Sequence, residues 1–143
     1  MVVLEQAREF GEVGVGLQVA PNALHVLDAL GVGAQAKKNA LLIERMVMMD
    51  GVCGDEVINI PCGDEFHARF GNPYAVAHRA DIHGAILEGC RSCGQIELRT
   101  NCRVTGFDIG DRGVSVALES GEHIEALALV GADGVNSRIR QLI

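Results

Sequence analysis

Residues 126–142 read Ala126-Leu127-Ala128-Leu129-Val130-Gly131-Ala132-Asp133-Gly134-Val135-Asn136-Ser137-Arg138-Ile139-Arg140-Gln141-Leu142. The first five are apolar without alternation, which predicts a parallel strand buried on both faces. Gly131 and Gly134 then mark a turn, and Ser137 to Leu142 reads as the start of a helix. A strand, a glycine turn and a helix in that order form a phosphate-binding arrangement. The helix N-terminus presents unpaired N–H groups and a partial positive charge, and glycine lets the backbone approach the ligand. In such a turn Asp133 suits a ribose hydroxyl, or a water bridging to phosphate, better than phosphate itself. Arg140, about one helical turn beyond Ser137, is placed to pair with an anionic group. On the residues alone the plain strand-turn-helix, in which Asp133 is a turn former, is the favoured reading.

Upstream of this stretch the pattern changes to short alternating runs. Val104–Ile109, Val114–Leu118 and Ile124–Ala126 are separated by Gly110-Asp111-Arg112-Gly113 and Ser120-Gly121-Glu122. Val114, Val116 and Leu118 alternate with Ser115, Ala117 and Glu119, so the three runs predict an antiparallel meander with one wet face. Before it, Ile96–Leu98 is a short strand, and Arg79 to about Cys93 is the strongest helix, with Ile82, Ala85, Ile86 and Gly89 on its apolar face. Tyr74–Ala77, Glu56–Ile60 and Ile43–Asp50 read as strands, and Asn22–Leu30 as a helix opened by Pro21.

Val2-Val3-Leu4 is an apolar, strand-like run that ends at Glu5. A carboxylate at the end of the second strand of a dinucleotide fold bonds the adenosine ribose hydroxyls. Without that context Glu5 is a surface acid near a chain end. Residues 8–19, with Gly11, Gly14 and Gly16 between Glu12, Val13, Val15, Leu17 and Gln18, predict a loop.

The chain has 143 residues and a net charge of −7. That acidity, with no basic cluster, argues against nucleic-acid binding. No apolar run approaches the ~18 residues of a membrane span, and the N-terminal residues carry no secretory pattern. The five cysteines, Cys53, Cys62, Cys90, Cys93 and Cys102, are an odd number and read as reduced thiols of a cytoplasmic protein. Cys90-x-x-Cys93 lacks a second pair at zinc spacing, and the five histidines lack acidic partners at ligand spacing, so no metal site is expected. No nucleophile motif is present.

Asp-Gly-x-x-Ser-x-x-Arg after an apolar strand resembles the Asp-Gly motif of the flavoprotein aromatic hydroxylases, the para-hydroxybenzoate hydroxylase family. The resemblance extends over nearly the whole chain, through Val3-Leu4-Glu5-Gln6-Ala7, Glu9 to Gln18, Pro21-Asn22-Ala23, Leu27 to Gly31 and Tyr74-Ala75-Val76-Ala77-His78-Arg79-Ala80-Asp81-Ile82-His83. Met48-Met49-Asp50 and Phe70 to Val76 are most similar to the branch of the 3-hydroxybenzoate 6-hydroxylases and salicylate hydroxylases.

The resemblance implies an α/β fold: a partial Rossmann-like FAD-binding domain over residues 1–143, with a parallel sheet and an antiparallel meander. Strands in about 41–77 would lead towards a substrate-domain sheet. It implies FAD as cofactor, NADH or NADPH as reductant, and molecular oxygen and a phenolic acid such as 3-hydroxybenzoate or salicylate as substrates. A homo-oligomer fits the family. For cofactor binding it implies Glu5 at the ribose, Gln18 close to the flavin and Arg79 near the pyrophosphate and ribityl chain. It further implies the main chain of Val104 at the adenine, and Asp133, Gly134 and Arg140 in the Asp-Gly segment. Some relatives carry a catalytic histidine where this chain has Gln18, so no catalytic role is carried over, and no catalytic residue is named.

The family's first Gly-x-Gly-x-x-Gly loop has no counterpart here, since Gly11, Gly14 and Gly16 follow the second strand and stand in another order. The chain is therefore expected to begin about 30 residues into the fold, the size of one strand–helix step. Weak flavin retention follows, and a non-catalytic interaction module is the alternative reading. A squalene- or kynurenine-type oxygenase of the same fold fits Met48-Met49-Asp50 and His78-Arg79-Ala80-Asp81 less well.

Overall fold

The computed structural model describes residues 1–11 and 14–143; Glu12 and Val13 of the glycine loop lie outside the described residues. In chain order the elements are β1 (Val2–Leu4), β2 (Gly16–Val19), α1 (Pro21–Ala29), α2 (Gly33–Lys37), β3 (Leu41–Leu42), β4 (Arg45–Met49), β5 (Glu56–Pro61), α3 (Asp64–Phe70), β6 (Ala75–His78), α4 (Arg79–Ser92), β7 (Glu97–Arg99), β8 (Val104–Gly110), β9 (Gly113–Leu118), β10 (His123–Ala126) and α5 (Arg138–Gln141). They fall into two units, one formed by Met1–Phe10 with Gln95–Ile143, the other by Gly11–Gly94. The mixture of parallel and antiparallel sheets with helices is the α/β class expected from the sequence.

In the first unit β1 and β7 pair in parallel, with Val2, Val3 and Leu4 opposite Glu97, Leu98 and Arg99. The meander forms as the alternation predicts, in the order β10-β9-β8, and Val114, Val116 and Leu118 are its buried positions. The Arg99 guanidinium at the end of β7 donates two parallel bonds to the Glu122 carboxylate in the β9–β10 turn, at 2.9 and 2.7 Å. That fork holds the Glu122 carboxyl below its usual range.

The apolar run before Gly131 departs from expectation. β10 stops at Ala126, and residues 127–130 belong to no strand. Leu127 is 91% and Val130 85% exposed. A strand buried on both faces needs a paired neighbour on each side. Among the described residues β1 and β7 pair only with each other, and no strand lies against residues 127–130.

The second unit is organised by β6. β2 and β3 both pair with it, antiparallel, in the order β2-β6-β3. Part of the stretch expected as loop is therefore strand: Gly16–Val19 is recruited by the ladder to Ala75–His78. Successive residues of a strand face opposite sides. Val19, Ala75 and Ala77 point into the core with Leu24 and Leu27 of α1, Ala36 of α2 and Ala85 of α4. Gly16, Gln18, Tyr74, Val76 and His78 belong to the other face. β4 and β5 form a separate two-stranded hairpin that exposes Val47, Met48, Met49, Val57, Ile58 and Ile60.

α3 was not expected from hydrophobic periodicity, because none of its residues is buried. It is specified by charge: Asp64 and Glu65 stand in its first turn, His67 and Arg69 in its last, and Gly71 ends it in the left-handed region at φ 71°. Among the described residues no helix is long and apolar enough to cross a membrane. All five cysteines are free thiols.

Candidate functional site

In the first unit, the expected cofactor residues stand in two neighbourhoods. Glu5 continues the β1–β7 ladder, its N–H donating to the Arg99 carbonyl at 2.9 Å and its own carbonyl accepting from the Cys102 N–H at 2.8 Å. The second bond draws the entry to β8 to the end of β1, so Val104 lies only two residues from a direct partner of Glu5. β8 is an edge strand of the meander, which leaves one side of its main chain unpaired by any strand. The Glu5 carboxylate accepts from the Ala7 N–H through Oε1 at 2.7 Å. Its Oε2 has no donor among the described residues and is the atom available to a hydroxyl.

Asp133, Gly134 and Arg140 share the second neighbourhood, and here the structure changes the reading of Asp133. Its carboxylate folds over the start of α5. Oδ2 accepts from the N–H groups of Arg138 and Ile139 at 2.6 and 3.1 Å, and Oδ1 from the Ser137 hydroxyl at 2.5 Å. Ser137 in turn caps the helix by accepting from the Arg140 N–H at 3.0 Å. The Ser137 hydroxyl and the Ile139 N–H are the main reasons why the Asp133 carboxyl is held at about 2, below the ordinary 3.8. The amides that an anion would meet at this helix start are thus already bonded to the chain's own carboxylate. Arg140 also turns inward, its Nη2 donating to the Val135 carbonyl at 2.6 Å.

The glycines of this segment have specific work. Gly134 sits at φ +80°, a region that L side chains rarely adopt. A Cβ on Gly131 would lie 2.8 Å from Cγ2 and 2.9 Å from Cβ of Ile139, which is buried. Gly131→Ala is therefore expected to displace α5, lowering the melting temperature and raising the amide exchange rates of residues 138–141 above those of wild type. Unchanged exchange in that helix would contradict the packing argument.

In the second unit, Gln18 lies on β2 opposite Val76 of β6, and Arg79 follows β6 directly. Gly16 pairs with His78, and the Arg79 N–H donates to the Val15 carbonyl at 2.9 Å. Arg79 is the first residue of α4. Gln18 accepts from the Tyr74 hydroxyl at 2.8 Å through Oε1, which leaves its amide N–H₂ to donate elsewhere. This partnership has no signal in the sequence beyond the presence of Tyr74 in the signature stretch.

A second polar group was missed entirely. His25 and Asp28 of α1, Lys37 of α2 and Asn72 form one hydrogen-bonded cluster, and Asn72 is 4% exposed. Its members lie up to 47 residues apart, so no local spacing announces it. Among the described residues no cluster of His, Cys, Asp and Glu has the makeup of a metal site.

No family model matches the chain. Individual proteins do. The chain is 44% identical over 142 residues to 3-hydroxybenzoate 6-hydroxylase 1 of Aquipseudomonas alcaligenes, covering 99% of the chain and 36% of the relative. It is 45% identical over 139 residues to the 3-hydroxybenzoate 6-hydroxylase of Polaromonas naphthalenivorans, covering 97% and 35%. The fold matches the crystal structure of 2-methyl-3-hydroxypyridine-5-carboxylic acid oxygenase, with a TM-score of 0.79, 25% identity and coverage of 98% of the chain and 34% of the oxygenase. It also matches PqsL of Pseudomonas aeruginosa, a probable FAD-dependent monooxygenase, with a TM-score of 0.79 at 20% identity over 98% of the chain and 37% of PqsL. By sequence the chain is similar to part of these two hydroxylases, and its fold matches part of the two solved oxygenases. It spans about a third of the length of the curated monooxygenases it matches.

In the first unit Glu5 offers one carboxylate oxygen and β8 an open main-chain edge, and in the second unit Gln18 offers an amide donor; each is a kind of group that a flavin dinucleotide can engage. The Asp-Gly turn offers a preformed shape rather than a free anion site, because its donors are satisfied internally by Asp133.

Proposed function

We propose that these 143 residues are a cofactor-holding part of an FAD-dependent monooxygenase that hydroxylates a phenolic acid, 3-hydroxybenzoate or salicylate. The reading is carried by the identity of 40–45% to three 3-hydroxybenzoate 6-hydroxylases over almost the whole chain. In this reading residues 1–143 are a partial FAD-binding domain, and about 41–77 lead into the substrate-domain sheet. Bound FAD supplies the redox chemistry with oxygen, and NADH or NADPH supplies the electrons. The chain's own residues bind and orient. Glu5 holds the adenosine ribose through Oε2, and the main chain at Val104 meets the adenine. Arg79 serves the pyrophosphate and ribityl region, and the Gln18 amide donates towards the flavin. Gly134 gives the Asp-Gly turn its path, Asp133 fixes that turn by capping α5, and Arg140 braces it through Val135. The five free thiols suit the cytoplasm. The exposed apolar strands β4 and β5 suit assembly into a homo-oligomer.

Two measurements test this. Titration of FAD into the chain, followed by flavin fluorescence, is expected to show weak binding, reduced about tenfold by Glu5→Ala and by Arg79→Ala, the scale of one charge-assisted hydrogen bond. Stoichiometric yellow protein would overturn the expectation of weak retention, and identical affinities in the variants would remove Glu5 and Arg79 from the site. Expression of the whole reading frame that contains the chain, with NADH or NADPH and each phenolic acid, is expected to give substrate-dependent oxygen uptake and a dihydroxylated product. Absence of turnover with both acids would favour the non-catalytic module.

A further inference from the structure

The cluster around Asn72 has a single consistent arrangement. Lys37 Nζ donates to both oxygens of Asp28, at 2.9 and 3.1 Å, and to Asn72 Oδ1 at 3.2 Å. Asn72 Nδ2 donates to Asp28 Oδ2 at 2.9 Å and to His25 Nδ1 at 3.1 Å. His25 Nε2 donates to the Phe70 carbonyl at 2.7 Å. A flipped Asn72 amide would set its oxygen against the Asp28 carboxylate and its nitrogen against the Lys37 ammonium, so the charges fix its orientation. That in turn fixes the histidine: a carbonyl only accepts and an amide N–H₂ only donates, which puts the proton on Nε2 and leaves Nδ1 bare.

The cluster grips a particular segment. His25 holds residue 70, and Lys37, Asp28 and His25 together hold residue 72. Pro73, with its locked φ, leads directly to Tyr74. The Tyr74 carbonyl accepts from the Ile43 N–H at 2.9 Å. Its ring meets the edge of Phe66, 6.4 Å between centroids at 70°, and Phe66 packs on Phe70 at 4.6 Å. Its hydroxyl is the group that engages Gln18. The buried amide of Asn72 is thus the fixed end of a short rigid arm whose other end is the Tyr74 hydroxyl.

We propose that Asn72, with His25, Asp28 and Lys37, is a positioning residue for Gln18: the cluster sets the Tyr74 hydroxyl, and the hydroxyl aims the Gln18 amide donor. The orientation of Gln18 follows from the cluster alone; its meaning for the flavin rests on the cofactor reading above.

The test is side-chain amide NMR on the whole chain, with Gln95 and Gln141 as internal references. In Asn72→Ala the Gln18 N–H₂ signals are expected to move and broaden while those of Gln95 and Gln141 stay in place. In Tyr74→Phe, which removes the hydroxyl bonded to Gln18, the same Gln18 signals are expected to move. Since Asn72→Ala removes a buried partner and can fail to fold, Lys37→Met is the second variant. It strips one donor from Asn72 Oδ1 at a partly exposed position and is expected to move the same signals less. Gln18 signals that coincide with wild type in either folded variant overturn the proposal. FAD added to wild type separates the two readings. If the variants move Gln18 but FAD does not, the positioning stands and the flavin role of Gln18 falls.

Discussion

Asp133→Ala is expected to unwind α5 and to loosen the whole Gly131–Arg140 segment. One carboxylate accepts from two backbone N–H groups and from the Ser137 hydroxyl, which is itself the helix cap. Its removal leaves the first turn of a four-residue helix without its main partners, and so short a helix does not persist on propensity alone. Loss of the α5 amide protection and a fall of several degrees in melting temperature are the expected readouts. Asp133→Asn, which keeps the shape but accepts through one oxygen only, should fall between. The pH dependence has a definite sign. The fold lowers the Asp133 carboxyl to about 2 from 3.8, so the ionised form is the one bound in the native state. Its stabilisation is complete above 3.8 and is lost as pH falls through about 2. The difference between wild type and Asp133→Asn should therefore shrink over that interval. A constant difference down to pH 2 would show that the carboxylate does not hold the turn. If the segment also shapes the flavin site, Asp133→Ala weakens FAD binding without any lost contact between Asp133 and the cofactor.

That role was only half legible in the sequence. Ser137 announces a helix start, and Gly131 and Gly134 announce a turn, but nothing in the order Asp133-Gly134-Val135-Asn136-Ser137 says whether the carboxylate bonds its own chain or a ligand. The choice is made by the left-handed backbone at Gly134 and by the packing of Gly131 on Ile139, both three-dimensional facts. The meander and α4 were readable because alternation and helical spacing persist over many residues, in Val114-Ser115-Val116-Ala117-Leu118 and from Ile82 to Gly89. β2 was not, since the four residues Gly16–Val19 at the end of a glycine-punctuated stretch become strand only by pairing with Ala75–His78. Leu127–Val130 misled in the opposite sense, because its composition describes a strand whose pairing partners are absent from the described residues. The Asn72 cluster carries no local pattern at all: its histidine, acid, lysine and amide each look like ordinary surface residues until α1, α2 and the segment before β6 are folded together.

Leu24→Ala is expected to have the largest effect on stability. Leu24 is 1% exposed and stands at the centre of the Val19, Leu27, Ala36, Ala75, Ala77 and Ala85 core. Five of those six neighbours are alanines or valine, which have little side chain with which to fill the space left behind. A cavity of this kind costs about 2–5 kcal/mol, against a total of roughly 5–15 kcal/mol for an ordinary domain. The urea midpoint of Gly11–Gly94 should drop accordingly, while Leu24→Met costs less than about 1.5 kcal/mol. A loss under about 1 kcal/mol for alanine would mean that the core collapses onto the gap. The consequence reaches the expected cofactor residues, because β2 and β6, which carry Gln18 and lead into Arg79, have their inner face on this core.

The Tyr74–Gln18 bond also has an optical consequence. The chain has one tyrosine and no tryptophan. Its intrinsic ultraviolet emission therefore arises from a single phenol, the one whose hydroxyl rests on Gln18. Without any label, the quantum yield and lifetime of that emission report on this one hydrogen bond. Energy transfer from the same ring to an added flavin would turn the tyrosine into a ruler between the two.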